Sequence, residues 1–211
     1  MNRPRRLVGV CGTATEVGKT WVGAAVARSL RELGCSVAGR KPLQSFDPDQ
    51  DDRTDAEVLA GATGEAPHDV CPPDRWYPVP MAPPMAAEVL GVRCPTLVEV
   101  AGGITWPSGV DVGLVETVGG VRSPLAEDGD SRDLIEALAV DVVLVVADAG
   151  LGTIDAVRHA ASALAPRPVV VHLNRYDGGD DLHRRNRRWL TERDGFDVEV
   201  SIDGLAARLV P

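Results

Sequence analysis

The sequence predicts an α/β fold: three layers, with a parallel sheet sandwiched between helices on both faces. Three observations predict it. Continuous apolar runs at residues 7–11, 112–115, 142–146 and 169–173 have strand length and no polar alternation, so they read as strands covered on both faces. Segments with helical apolar spacing lie between these runs, which makes successive strands parallel. The first run passes straight into a glycine loop ending Gly18-Lys19-Thr20, and that loop into an Ala/Val-rich helical stretch. Strand, loop and helix in that order place the fold in the P-loop NTPase type.

Taken in order, strand 7–11 is followed by a helix over 20–33 and by a weaker strand candidate at 36–41. Helical spacing then recurs at 54–60, 85–90, 97–101, 133–138, 154–164 and 182–192. Residues 66–84 hold seven prolines (Pro67, Pro72, Pro73, Pro78, Pro80, Pro83, Pro84) with Trp76 and Tyr77 among them, and read as an ordered excursion near the site. No internal repeat and no second core are visible, so residues 1–211 are expected to form a single P-loop ATP-binding domain.

Charge and cysteine usage narrow the partners and the compartment. A net charge of −9 argues against nucleic acid and against an anionic membrane surface. The one basic cluster, Arg184, Arg185, Arg187 and Arg188, is interleaved with Asp180, Asp181 and Glu192 and reads as a solvated helix face. Cys11, Cys35, Cys71 and Cys94 show no Cys-x-x-Cys spacing, which fits reduced thiols in the cytoplasm. The basic start Asn2-Arg3-Pro4-Arg5-Arg6 precedes an apolar run that belongs to the first strand and is too short for a signal core. No run approaches the ~18 apolar residues of a membrane span. His68, His159, His172 and His183 lack metal-ligand spacing and are assigned no role.

The loop comprises Gly12, Thr13, Ala14, Thr15, Glu16, Val17, Gly18, Lys19 and Thr20, with five residues between its outer glycines where the common form has four. Its N–H groups and the following helix terminus suit phosphates, Lys19 suits the β/γ-phosphates, and the Thr20 hydroxyl suits Mg²⁺. ATP and Mg²⁺ are therefore expected. Ligands in such sheets gather at the carboxyl ends of strands. Lys41 closes the second strand, Asp55 opens a helix, and Glu116 is expected at the tip of the strand 112–115. Two carboxylates and two lysines around one triphosphate fit a kinase-like or ligase-like step. Asp148 reads as a strand-end cap.

On these residues the chain resembles the dethiobiotin synthetase family. The loop 12–20 matches that family's five-residue variant, Lys41-Pro42-Leu43-Gln44-Ser45 its Lys-Pro-x-x-Ser element, Asp55 its metal aspartate, and Glu116 its glutamate before a double glycine. Residues 77–87 are similar to its proline-rich substrate segment, Gly150 to Asp155 to its substrate-carboxylate helix start, and Asn174 to the asparagine that reads adenine. The resemblance runs from residue 7 to about 175. It implies that 7,8-diaminononanoate and CO₂ form a carbamate, that ATP phosphorylates it, and that the second amine closes the ring. It further implies that Lys19 and Lys41 neutralise phosphate and carbamate, with Thr15 and Ser45 as hydrogen-bonding neighbours. Thr20, Asp55 and Glu116 would hold Mg²⁺. Gly152, Thr153 and Ile154 would bind the substrate carboxylate, contributed by the second subunit of a homodimer.

The chain departs from the family pattern at several positions. Ala14 stands where aspartate is common, Phe46 where glycine follows the serine, and Met85 where histidine is frequent. Thr117 and Val118 replace glycine and alanine, and are expected in a strand-end turn bordering the substrate pocket. Phe46 is expected against the diamine's alkyl chain. Three readings besides the family activity stay open on the residues alone. One is a paralogue with an altered substrate; another is a nucleotide-binding module whose pocket Phe46 and Thr117 close. The third is a switch ATPase of the MinD/ParA type, which would carry a further lysine near the loop's start, where Thr13 and Ala14 stand.

Overall fold

A computed structural model describes residues 2–49 and 53–211. In chain order its first elements are β1 (Arg6–Gly12), α1 (Lys19–Glu32), β2 (Val37–Arg40), β3 (Gln44–Ser45), α2 (Asp55–Thr63), α3 (Pro67–Val70), β4 (Trp76–Tyr77), α4 (Pro83–Leu90) and α5 (Leu97–Gly102). There follow β5 (Val112–Gly120), β6 (Pro124–Ala126), β7 (Gly129–Asp130), α6 (Ser131–Ala137), β8 (Val142–Asp148), α7 (Thr153–Leu164), β9 (Val169–Asn174), α8 (Asp181–Glu192), β10 (Asp197–Glu199) and α9 (Ile202–Leu209). Six strands build one parallel sheet in the order β10-β9-β8-β1-β5-β2.

β1 lies between β5 and β8, so the loop that leaves it emerges mid-sheet at the carboxyl edge. Apolar residues cover both faces, as unbroken Val/Leu runs require. On one face Val8, Val10, Leu114 and Leu144 pack with Val22, Val26 and Leu30 of α1 and Leu59 of α2. On the other, Leu7, Val115, Val143 and Val145 pack with Ala86 of α4, Leu134 of α6 and Leu164 of α7. Local chemistry sets the helix starts. Thr54 caps α2 in a reciprocal pair with Glu57, and Thr96 does the same for α5 with Glu99, each satisfying amide groups that a helix start leaves open.

The structure changes two expectations. β5 does not end at Val115 but continues through Gly120, so Glu116 sits inside the strand and Thr117 and Val118 extend it rather than forming a turn. The last residues, which carried no predicted element beyond 192, form β10 and α9. Leu205, Ala206 and Leu209 complete the core against α1, and Ser29 Oγ donates to Asp203 Oδ1 at 3.0 Å. Residues 66–84 are ordered, with β4 paired in parallel to β3. Among the described residues no helix is long and apolar enough to cross a membrane.

Candidate active site

The loop between β1 and α1 is held by close contacts that only glycine permits. A Cβ on Gly12 would lie 2.8 Å from Ala14 O, and one on Gly18 would lie 2.2 Å from Asn174 Nδ2. Gly18 also has φ +92°, the left-handed region where an L side chain is strained. Glu16 shares that region at φ 62°. Gly18 caps α1 without a side-chain bond, which leaves the first amides of the helix available to an anion. Thr15 is exposed on the loop, whereas Val17 and Lys19 are buried. Lys19 Nζ donates to Ala14 O at 3.2 Å. Burial and the nearby charge of Lys41 lower the Lys19 pKa, with Glu116 and Asp55 opposing.

Three elements deliver charge beside that loop. Lys41 follows β2, Asp55 is the first residue of α2, and Glu116 comes from β5. Lys41 Nζ lies 2.7 Å from Asp55 Oδ2 and 2.7 Å from Glu116 Oε1, with Thr117 O at 3.4 Å. Those three acceptors match the three N–H donors of an ammonium. Thr20 Oγ1 is 2.6 Å from Asp55 Oδ1 and 2.8 Å from Glu116 Oε1. Burial acts against the Lys41 charge, but the two carboxylates outweigh it and hold its pKa above the usual lysine value. Burial pushes Asp55 up as well, yet Lys41 and the Thr20 hydroxyl keep it below the usual carboxylate value. Glu116 is raised, because it is 1% exposed and desolvation exceeds the help from Lys41. Its Oε2 is buried without a hydrogen-bond partner among the described residues.

Residues that sequence reasoning passed over position this cluster. Gln44 is buried, and its Oε1 accepts from the backbone N–H of Ala56 at 3.0 Å, fixing the start of α2 and hence Asp55. Arg175 ties the loop to the sheet through Glu16 O at 3.2 Å and Asp148 Oδ2 at 3.1 Å. Asp148 Oδ1 also accepts from Gly150 N at 2.9 Å, so Asp148 caps the end of β8. The double glycine after Val118 lets the two segments approach: a Cβ on Gly120 would meet Thr13 O at 3.2 Å.

The departures from the family pattern fall largely outside the cluster. The Thr117 side chain is fully buried and its Oγ1 donates to Val10 O at 3.3 Å; only its carbonyl reaches Lys41. Val118 belongs to the core on the face away from α1. The expectation that these side chains border the pocket is corrected: strand alternation turns Thr117 away from Glu116. Phe46 is half-buried beside Ser45, its ring edge-on to Trp76 with centroids 6.2 Å apart. Gly152, Thr153 and Ile154 start α7, and no hydrogen bond or ion pair among the described residues joins them to the cluster. Thr153 Oγ1 is buried and unpartnered there, and the preceding Leu151 is 92% exposed.

Asn174 ends β9, and its Nδ2 donates to Val17 O at 2.9 Å. Beyond it a cavity of about 540 Å³ opens against the loop, walled by Gly18, Trp21, His172, Asn174, Tyr176 and Ile202 among others. A second cavity of about 420 Å³ lies outside β2, where Arg40 is already committed to Glu65 at 2.7 Å and to Thr105 O at 2.6 Å. Burial pushes the Cys11 thiol to about 11 and the Cys71 thiol to about 12, so neither is a thiolate near neutral pH.

The profile of a family described as an AAA domain matches residues 6–175. A protein of Caulobacter vibrioides named ATP-dependent dethiobiotin synthetase BioD is 40% identical over 167 residues, covering 77% of this chain and 75% of its own length. One of the same name from Haloferax mediterranei is 36% identical over 194 residues, covering 90% of this chain and 80% of its own. Among solved structures, a DUF1611 family protein from Anabaena variabilis is similar in fold, with a TM-score of 0.51 at 15% identity over 98% of this chain and 55% of the other.

Proposed function

The chain belongs to the ATP-dependent dethiobiotin synthetase family, and from that membership we propose how its site works. The enzyme is an ATP-dependent ligase of biotin biosynthesis, converting 7,8-diaminononanoate and CO₂ to dethiobiotin with release of ADP and phosphate. Family membership decides among the activities that the loop alone left open. One observation carries the assignment of roles: Lys41 Nζ stands 2.7 Å from both Asp55 and Glu116, with the Thr20 hydroxyl at 2.6 and 2.8 Å from the same carboxylates.

Gly12, Thr13, Glu16, Val17, Gly18, Lys19 and Thr20 bind the triphosphate, with Lys19 on the β/γ-phosphates. Lys41 holds the carbamate beside the transferred phosphoryl group, exchanging its longest contact, Thr117 O at 3.4 Å, for a carbamate oxygen. Thr15, exposed on the loop, and Ser45, half-buried in β3, hydrogen-bond to the reacting groups. Asn174 contacts the base. The oxygen donors Thr20, Asp55 and Glu116 suit Mg²⁺, and the unpartnered Glu116 Oε2 supports that fit. No group of three or more His, Cys, Asp or Glu side chains among the described residues forms a metal cage. That agrees with a Mg²⁺ completed by phosphate and water rather than by protein alone. When bound, the ion neutralises charge developing on the phosphates.

Gly152, Thr153 and Ile154 bind the diamine's carboxylate across a homodimer interface. The exposed apolar side chains Leu151, Met85 and Val89, at 92%, 54% and 62%, support this. The unbroken sheet from β1 to β10 supports one domain over 1–211. The reduced cysteines support a cytoplasmic enzyme. The test is ADP release with ATP, Mg²⁺ and bicarbonate, with and without 7,8-diaminononanoate. Diamine-dependent release is expected; tight ATP binding with no diamine-stimulated turnover overturns the assignment.

A further inference from the structure

We propose that Asn186 and Asp148 are positioning residues for the diamine's carboxylate, holding the turn before α7 so that the first amides of that helix stay open. The inference deepens the reading that Gly152, Thr153 and Ile154 bind this carboxylate, and rests on it. Between β8 and α7, residues 150–152 cannot be held by their own side chains. Gly150 and Gly152 have none, and Leu151 is 92% exposed. Gly152 caps α7 at φ 88° without a side-chain bond, so the helix start leaves its amides unsatisfied. A turn with so little packing keeps its backbone freedom unless hydrogen bonds from elsewhere select one conformation.

Two side chains from outside the turn make that selection. Asn186, on α8, is 6% exposed, an unusual depth for an amide side chain, so its partners must account for it. Those partners are two successive carbonyls: Nδ2 donates to Ala149 O at 2.9 Å and to Gly150 O at 2.8 Å. Both protons of the amide are thereby used. Asp148 Oδ1 accepts from the N–H of Gly150 at 2.9 Å. The planar peptide joining Ala149 to Gly150 is thus gripped at its oxygen and at its N–H, and the next peptide at its oxygen. Gly150 O stands three and four residues before Thr153 and Ile154, where a helical turn would offer it to their N–H groups. Asn186 draws it away, and the bond from Thr153 N to Gly150 O is a long 3.4 Å. The first-turn amides are left for an anion, which the helix dipole favours at that end. Arg175, 3.1 Å from Asp148 Oδ2, offsets a charge that would otherwise repel it.

ADP release on the full chain is measured with two diamines: 7,8-diaminononanoate, and 2,3-diaminooctane, which is the same diamine without its carboxylate. Asn186→Leu removes both donors. It should raise KM for diaminononanoate about tenfold, the effect of a turn that is competent about a tenth of the time, with kcat and the KM for ATP unchanged. The KM for 2,3-diaminooctane should not move. Asp148→Ala should act in the same direction, while Asp148→Asn, whose Oδ1 still accepts from Gly150, should restore the wild-type KM. Urea melts verify that Asn186→Leu remains folded; Asp148 is exposed, and its variants test the proposal independently. Unchanged KM for diaminononanoate in a folded Asn186→Leu or in Asp148→Ala overturns the positioning role. Equal increases for both diamines overturn it too, since a merely structural loss would not distinguish them. A wild-type enzyme with the same KM for the two diamines overturns the carboxylate reading of residues 152–154 instead, and the proposal with it.

Discussion

Replacing Lys41 by methionine roughly keeps the length of the side chain and removes the cation that Asp55 and Glu116 both contact at 2.7 Å. Glu116 is 1% exposed and Lys41 3%, so water cannot take over the lost interaction. What remains is two carboxylates around the single proton of the Thr20 hydroxyl. Breaking a buried pair in this way costs about 3–5 kcal/mol. In a chain of 211 residues, where 1 kcal/mol moves the melting temperature by about 2–4 °C, the expected drop is about 6–20 °C. Adding Glu116→Gln to the same protein removes the stranded charge. The double variant should therefore be more stable than Lys41→Met alone, although it carries one more substitution. Urea melts at pH 7 on the wild type, both single variants and the double variant measure this coupling. A product assay beside AMP-PNP titration reads function: product formation should fall to background in Lys41→Met while nucleotide affinity holds within a few-fold. Single-variant losses that simply add, within about 0.5 kcal/mol, would show that the groups are not coupled. Equal loss of nucleotide binding and product would move Lys41 onto the nucleotide.

Asp55→Asn should raise the Mg²⁺ concentration needed for half-maximal ADP release, since it exchanges an anionic oxygen for a neutral one; a wild-type Mg²⁺ requirement would make this carboxylate structural. Gly18→Ala places a Cβ where Asn174 Nδ2 now lies, 2.2 Å away, in left-handed backbone. It should lower stability by more than about 1 kcal/mol and weaken AMP-PNP and tripolyphosphate alike, so wild-type affinity for both would refute the loop geometry. His172 has a folded pKa near 4 against an ordinary 6.5, so on acidification the unfolded chain takes up the proton first. Its contribution is complete above pH 6.5 and is lost as pH falls toward 4, by about 3 kcal/mol at 1.36 kcal/mol per pH unit. His172→Val should lose correspondingly less stability than wild type between pH 7 and pH 4 in urea melts; parallel curves would rule out a buried neutral histidine.

What the sequence made legible was local in the chain. The loop 12–20 is one contiguous motif between a strand and a helix, and Thr54 with Glu57 announces the start of the helix that carries Asp55. Glu116 was recognisable as a charge beside an apolar run, but the run's end at Val115 suggested a strand tip. A carboxylate can continue a buried strand only if a cation reaches it, and the cation is Lys41, 75 residues away in sequence. Thr117 and Val118 were misread for the same reason: once Glu116 lies within β5, the next residues prolong the strand, and β-branched side chains suit it. The tail was missed because a three-residue strand and an eight-residue helix carry too little periodicity to stand out. Leu205 and Leu209 acquire meaning only against α1. Of the departures from the family pattern, Thr117 and Val118 thus sit in the core, while Ala14 and Met85 are exposed and Phe46 is half-buried. The charges that the family activity requires converge from β2, α2 and β5 beside the loop, on the carboxyl edge where the parallel sheet order delivers them.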